Sequence, residues 1–279
     1  MVQTYIGAPI QRKEDVRFLT GQAIFVADIN LSDMLHAAIL RSPHAHARVR
    51  GIDASAALAI PGVVAVLTYQ DIADIAKPIP IRLYPLPGLE PFLQYPLSRD
   101  VVRHVGEAVA VVVAESRALA EDALDAIQVD YEPLPVVTDL REALRGEVVL
   151  HEPTGTNVAG EFTVSTGDVD EAFRNAEYTR KEEFKTHRHT GNPLETRGLI
   201  AAYDAETEEF TVWGPTKVPH FNRGVLGSLL EIPSEKIRFI EPDVGGGFGI
   251  RGEFYAEDFL IPVAARMVGR PVKWIEDRL

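Results

Sequence analysis

The sequence predicts an α/β (α+β) chain of two successive domains, and three observations lead there. The first is the run Ala108-Val109-Ala110-Val111-Val112-Val113-Ala114, apolar without alternation, the mark of a strand buried on both faces. The second is the stretch directly after that run. Ser116 is placed to cap a helix, Leu119, Ala123, Leu124 and Ile127 recur at helical spacing, and Val129-Asp130-Tyr131 resumes extended structure. That is a strand–helix–strand unit. The third is a hairpin pattern in the second half, where apolar stretches at 199–203 and 210–213 flank Asp204-Ala205-Glu206-Thr207-Glu208.

Residues 1–20 carry the charged run Gln11-Arg12-Lys13-Glu14-Asp15 and no clear period, and read as an N-terminal arm. The first domain is expected over 21–135. From Ala37 short apolar runs alternate with helical stretches: a strand over 47–52, a short helix over 54–59 and a strand over 63–67. Prolines at 78, 80, 85, 87, 91 and 96 make 77–96 an irregular excursion, because each removes a backbone donor and fixes φ. Such a segment is either functional and partner-facing or an insertion without fixed order. Glu132-Pro133-Leu134-Pro135 closes the domain, and turn-rich 136–160 reads as a linker. The second domain, 161–279, continues past the hairpin with a helix over 218–230, a strand over 237–240 and a helix over 255–268. Gly269 stands in the C′ position of that helix. A last strand spans 272–275, and the sequence stops four residues later. It is expected to lack neighbours, as in a domain incomplete at its C-terminus.

Composition narrows the function. With 46% hydrophobic and 25% charged residues the chain matches a soluble globular protein, and 279 residues make one large domain or two ordinary ones. No apolar stretch is long enough to span a bilayer, and Met1-Val2-Gln3-Thr4 begins no secretory signal, so a cytoplasmic protein is expected. The absence of cysteine excludes disulfides, a thiolate nucleophile, and any iron–sulfur or zinc site held by this chain's own thiolates. A net charge of −13 argues against a nucleic-acid partner.

The segment richest in chemistry is Asp243-Val244-Gly245-Gly246-Gly247-Phe248-Gly249, directly after an expected strand. Glycines let a backbone approach a ligand closely and donate N–H groups to anionic oxygens. No Gly-Lys-Ser/Thr follows, so it is not a Walker phosphate loop, and the spacing misses the dinucleotide fingerprint. Taken alone, the motif is weak, and a glycine-rich bend around a packed Phe is the more common occurrence.

Its company is more specific. Residues 15–28 (DVRFLTGQAIFVAD) precede Met34-Leu35-His36-Ala37 and Leu40-Arg41-Ser42-Pro43-His44-Ala45-His46-Ala47. Then come Ile52-Asp53, Pro61-Gly62-Val63-Val64-Ala65-Val66-Leu67-Thr68 and Val105-Gly106-Glu107-Ala108-Val109-Ala110. This ordered set resembles the α/β-hammerhead domain of the molybdenum hydroxylases, the xanthine dehydrogenase, aldehyde oxidase and aerobic carbon monoxide dehydrogenase family. Gly167-Asp168-Val169-Asp170-Glu171-Ala172-Phe173, Asn192-Pro193-Leu194-Glu195-Thr196-Arg197, the stretch 213–223 and Gly245 to Gly249 resemble that family's first molybdopterin-binding domain. The resemblance covers essentially all 279 residues.

It implies the N-terminal portion, or a split subunit, of a large molybdopterin-binding subunit. Such enzymes oxidise an aldehyde, an N-heterocycle or carbon monoxide with water as the oxygen source. The implied cofactor is molybdenum–molybdopterin in its cytosine dinucleotide form. Iron–sulfur clusters and FAD would sit on partner subunits, which fits the absence of cysteine, and the remaining molybdopterin-binding half would be a further partner. Gly246, Gly247, Phe248 and Gly249 match the loop beside the molybdenum ligands, with backbone donation to the cofactor and Phe248 as an apolar wall. No catalytic residue is expected here, because the family's general-base glutamate lies beyond Leu279; alone, the chain is expected to be inactive.

Two positions depart from the family pattern. Many members carry Ser-Thr-Gln where this chain has Pro215-Thr216-Lys217, so Lys217 either faces the cofactor as a cationic donor favouring an anionic, oxidised centre, or lies on the surface. Arg251 replaces a more usual Lys and keeps its charge. Glu195 is expected to be structural, paired with Arg197 or a backbone donor. His187 and His189 share a face but lack a third ligand, so no metal site is expected, and His44 and His46 read as packing residues. Two other classes stay open: a non-catalytic scaffold that keeps the hammerhead for docking, and a nucleotide-binding module using the glycine loop.

Overall fold

The computed structural model describes residues 5–82 and 87–278. The arm contains one short helix, α1 (Asp15–Leu19), and a 3-10 turn comes after it at Val26–Asp28. Strands β1 (Leu35–Arg41) and β2 (Ala47–Asp53), helix α2 (Ser55–Leu58) and strand β3 (Val63–Thr68) come next. After the proline-rich excursion stand the two-residue β4 (Val101–Val102), β5 (Ala108–Ala114), α3 (Arg117–Leu124) and β6 (Gln128–Pro133). Ser116 caps α3, its side chain accepting from the Leu119 amide at 3.2 Å.

All seven residues of β5 are buried. The strand lies antiparallel between β1 and β3, so its two faces meet two cores. Val111 and Val113 join the main core, while Ala110, Val112 and Ala114 pack with Ala120 and Ala123 of α3. The expected strand–helix–strand unit is present as β5, α3 and β6. Helix α3 does not return the chain to the same sheet; β6 pairs with β2 in a separate three-stranded sheet, β4-β2-β6. Spacing along the chain sets the elements but not the sheet that a later strand joins.

The expected linker holds a helix, α4 (Leu140–Arg145), which Asp139 caps and Gly146 closes in the left-handed region. Beyond it, residues 161–192 are exposed and, apart from α5 (Val169–Asn175), carry no regular element. The hairpin is present as β7 (Gly198–Asp204) and β8 (Glu209–Trp213), with Tyr203 opposite Phe210. Helix α6 (Pro219–Leu230), β9 (Ile237–Ile240), α7 (Ala256–Val268) and β10 (Val272–Ile275) complete the order. Gly269 ends α7 with φ +66°, the conformation that a helix C-terminus of this type requires.

The last strand is not without neighbours. β10 runs parallel to β1, with Leu35 beside Val272, and antiparallel to β7, with Val272 beside Ala201. One seven-stranded sheet results, in the order β3-β5-β1-β10-β7-β8-β9. The β1 partner stands far back in the chain, where no local pattern points to it. Helix α7 packs across β7 and β10, and Phe259, Leu260 and Ile261 are fully buried there. Trp274 of β10 is buried in the same core.

The described part of the proline-rich excursion lies against the start of α7. Ile79 donates to the Gln94 carbonyl at 2.8 Å, and the Arg82 amide donates to the Glu253 carboxylate at 3.2 Å. Pro85 lies outside the described residues. No helix among the described residues is long and apolar enough to cross a membrane.

Candidate functional site

The glycine loop leaves the end of β9 and is tied down before it turns. Asp243 receives a two-pronged ion pair from Arg17 of the arm, one of its bonds at 2.5 Å. It also accepts from the Ile24 amide at 2.8 Å, and its own amide donates to the Ile24 carbonyl at 3.0 Å. The Arg17 hydrogen bond holds the Asp243 carboxyl below the usual carboxylate range. The N-terminal arm is therefore part of the loop's foundation. Sequence reasoning missed this, since nothing links Arg17 to Asp243 across such a separation.

Two residues on, Gly245 meets the segment before β7. Its amide donates to Glu195 Oε2 at 2.8 Å, and the Glu195 amide donates back to the Gly245 carbonyl at 3.2 Å. A Cβ at Gly245 would stand 2.5 Å from Glu195 Cβ, so only glycine permits this approach. The chain then bends through φ +107° at Gly246, +46° at Phe248 and +98° at Gly249. Phe248 is the unusual member: a non-glycine residue in the left-handed region costs energy, and such strain collects at functional sites. Phe248 is 77% exposed, so the loop does not hold its conformation by burying that ring.

Among the described residues, the amides of Gly246, Gly247, Phe248 and Gly249 donate to no protein acceptor. Gly247, Phe248 and Gly249 wall an open cavity of about 260 Å³, together with Thr216, Lys217 and Glu241. Lys217 and three of the four expected loop residues thus share one cavity; Gly246 does not line it. Lys217 is exposed, and its amide donates to the Arg251 carbonyl at 2.9 Å. Its Cδ and Arg82 Nη2 both lie close to the place a Cβ on Gly252 would take, at 3.7 and 3.3 Å. Arg82 thereby brings the first domain's excursion to the edge of this site. Burial pushes the Glu241 carboxyl up. Its signal in the sequence is a lone acid between an apolar strand and the loop.

Arg251 is buried at the centre. Its Nε donates to the Gly246 carbonyl at 2.7 Å and its Nη1 to the Pro215 carbonyl at 3.3 Å. Nη2 reaches the Glu195 carbonyl at 2.8 Å, Glu195 Oε2 at 3.0 Å and the Thr196 carbonyl at 3.1 Å. Burial works against its charge, and the Glu195 carboxylate opposes that effect. Of the two partners expected for Glu195, the backbone donor is present as the Gly245 amide, whereas the ion pair is with Arg251 and not with Arg197. Arg197 faces the other way. It pairs with Glu257 at 3.0 Å and with Glu276, and its guanidinium lies 4.2 Å from the Tyr255 ring centroid and 5.4 Å from that of Trp274.

The histidines lie apart from this cavity. His46 is buried with Nδ1 at 2.6 Å from the Pro135 carbonyl, and His44 packs on Tyr131. His187 and His189 are exposed, and His189 Nδ1 sits 3.1 Å from the His187 carbonyl. No group of three or more potential metal ligands occurs among the described residues.

Comparison with known proteins gives a consistent set of relatives. The family described as "Molybdopterin cofactor-binding domain" matches residues 150–279, and "Aldehyde oxidase and xanthine dehydrogenase, a/b hammerhead domain" matches 20–135. The nicotine 6-hydroxylase large subunit of Paenarthrobacter nicotinovorans is 41% identical over 278 residues, 100% of this chain and 34% of that protein. The carbon monoxide dehydrogenase large chain of Afipia carboxidovorans is 38% identical over 98% of this chain and 35% of its own length. Among solved structures, quinoline 2-oxidoreductase from Pseudomonas putida 86 superimposes with a TM-score of 0.88 at 39% identity, over 96% of this chain and 34% of that one. The chain spans about a third of the length of the curated relatives it matches.

Proposed function

The chain belongs to the aldehyde oxidase and xanthine dehydrogenase family of molybdenum hydroxylase large subunits, and from that membership we propose that it supplies one wall of the molybdopterin site in an oxidoreductase. The substrate class is an aldehyde, an N-heterocycle or carbon monoxide, with water as the source of oxygen. The single observation that carries this reading is the row of unbonded amides beside the open cavity that Lys217 lines. Amides without protein acceptors suit the oxo and phosphate oxygens of such a cofactor, and a cation beside them suits its negative charge. The residues fit the group.

Gly246, Gly247, Phe248 and Gly249 would hold it through their backbone, with Phe248 as the apolar side of the cavity and Lys217 as a charged donor. The bound cofactor, in its cytosine dinucleotide form, supplies the two-electron oxidation of the substrate carbon. This chain's residues orient it and compensate its charge. The general base, the rest of the cofactor cradle, and the iron–sulfur and FAD groups would come from other parts of a cytoplasmic assembly.

The test is made on the assembled enzyme, by metal analysis and by release of cytidine monophosphate on acid hydrolysis. Molybdenum and the nucleotide at about one per protomer are expected; their absence would leave the chain a non-catalytic scaffold. Lys217→Gln should then shift the potential of the molybdenum centre and weaken cofactor retention. If neither moves, Lys217 does not face the cofactor.

A further inference from the structure

We infer that Arg251 is the positioning residue of this site: its planar fork, and not merely its charge, sets the geometry in which the glycine loop presents its amides. The inference rests on the reading that this loop holds the cofactor. It is carried by which segments the guanidinium joins. The Gly246 carbonyl belongs to the loop, Glu195 and Thr196 to the strand-entry segment before β7, and Pro215 to the turn that delivers Lys217. These stretches lie far apart in sequence, and besides this guanidinium the strand-entry segment and the loop are joined at the Glu195–Gly245 contact. Among the described residues one side chain, Arg251, donates to all of them, and it is 4% exposed.

The backbone of Arg251 completes the bracket. Its carbonyl accepts from the Lys217 amide at 2.9 Å and lies 3.5 Å from Thr216 Oγ1. Both ends of one residue therefore hold the Lys217 turn against the loop. Glu195 closes the circuit from the opposite side, bonding the Gly245 amide and Arg251 Nη2 through the same oxygen.

This arrangement explains why arginine stands here. A lysine keeps the charge, but its ammonium is a compact donor on a flexible stem and does not reach acceptors on three diverging segments with one fixed plane. With lysine, one or two of the buried carbonyls lose their donor. A buried acceptor without a partner favours any movement that exposes it to water. The first segment free to move is the loop, because it turns through strained and left-handed positions and buries little of its own surface.

Arg251→Lys in the assembled enzyme tests this. Amide hydrogen exchange over 245–252 should quicken about tenfold while β5 and α7 keep their protection. Molybdenum retained after gel filtration should fall about tenfold, as when a group supporting cofactor ligands is lost. Raised loop exchange with molybdenum unchanged overturns the proposal, and so does faster exchange spread evenly over the sheet. If Arg251→Lys fails to fold, Gly245→Ala decides, since its Cβ would push the loop off Glu195 from the other side. Wild-type exchange and molybdenum in that variant overturn the proposal equally. A wild-type enzyme without molybdenum removes the cofactor reading instead, and leaves loop exchange alone to judge Arg251.

Discussion

Behind the candidate site, Glu257 on α7 is 3% exposed and carries two guanidinium groups, Arg197 at 3.0 Å and Arg41 at 2.7 Å. Burial alone would push its carboxyl up, yet the two arginines outweigh burial and hold it below the ordinary glutamate range. Arg197 in turn has Glu276 and two aromatic rings, so it is oriented from every side. A buried pair of this kind adds little net stability over an apolar substitute, but removing one member leaves the others charged and unpaired. Glu257→Gln keeps the volume and removes the charge. It is expected to lower stability by ~3 kcal/mol, read as a shift of the urea midpoint at constant slope; a change within error would mean that Glu276 suffices for Arg197 and the Gly106 carbonyl for Arg41. None of this network was legible in the sequence. Glu195 and Arg197, two positions apart, invited pairing with each other, yet the fold sends them to opposite sides, one to Arg251 and one to Glu257.

Elements were far more legible than their partners. β5 announced itself because burial on both faces demands an unbroken apolar run, and α3 because a serine precedes the helical spacing. The cap permits a direct check. Ser116→Ala removes the acceptor of the Leu119 amide and should cost about 1 kcal/mol, with the loss confined to faster amide exchange in the first turn of α3. No change there would mean that water replaces the cap. Helix α7 was legible from its period and from Gly269, even though Pro262 lies within it and interrupts the intrahelical bonding. Burial of Phe259, Leu260 and Ile261 overrides that local cost. The helix α4 in the expected linker went unread, because Asp139 and Gly146 bracket a stretch with none of its residues buried, and an exposed helix leaves no apolar period to detect. The glycine loop was legible as a bend that permits close backbone approach, but its supports, Arg17, Glu195 and Arg251, were legible only as charges.

At the scale of the molecule, two sequence regions that match separate families share one sheet, and β10 is the strand that joins them. It lies between β1 of the first region and β7 of the second, with Val272 fully buried and Trp274 nearly so. Lys273, between them, donates to the Ala27 and Ile29 carbonyls at 2.6 and 2.8 Å and so also fixes the chain that leads from the arm. The candidate site hangs from this junction: the arm holds Asp243, β7 begins just after Glu195 and Arg197, and α7 begins just after Arg251. Damage to β10 should therefore spread to both regions and not stay in the second. Trp274→Ala removes a large buried ring and should cost ~3–5 kcal/mol. Hydrogen exchange locates the loss. If the sheet is one cooperative unit, the amides of Val111 to Val113 in β5 and of Phe210 to Val212 in β8 will lose protection together, by the same free energy. If β8 loses protection while β5 keeps it, the two regions open separately, and β10 is a contact between domains rather than the strand that makes them one.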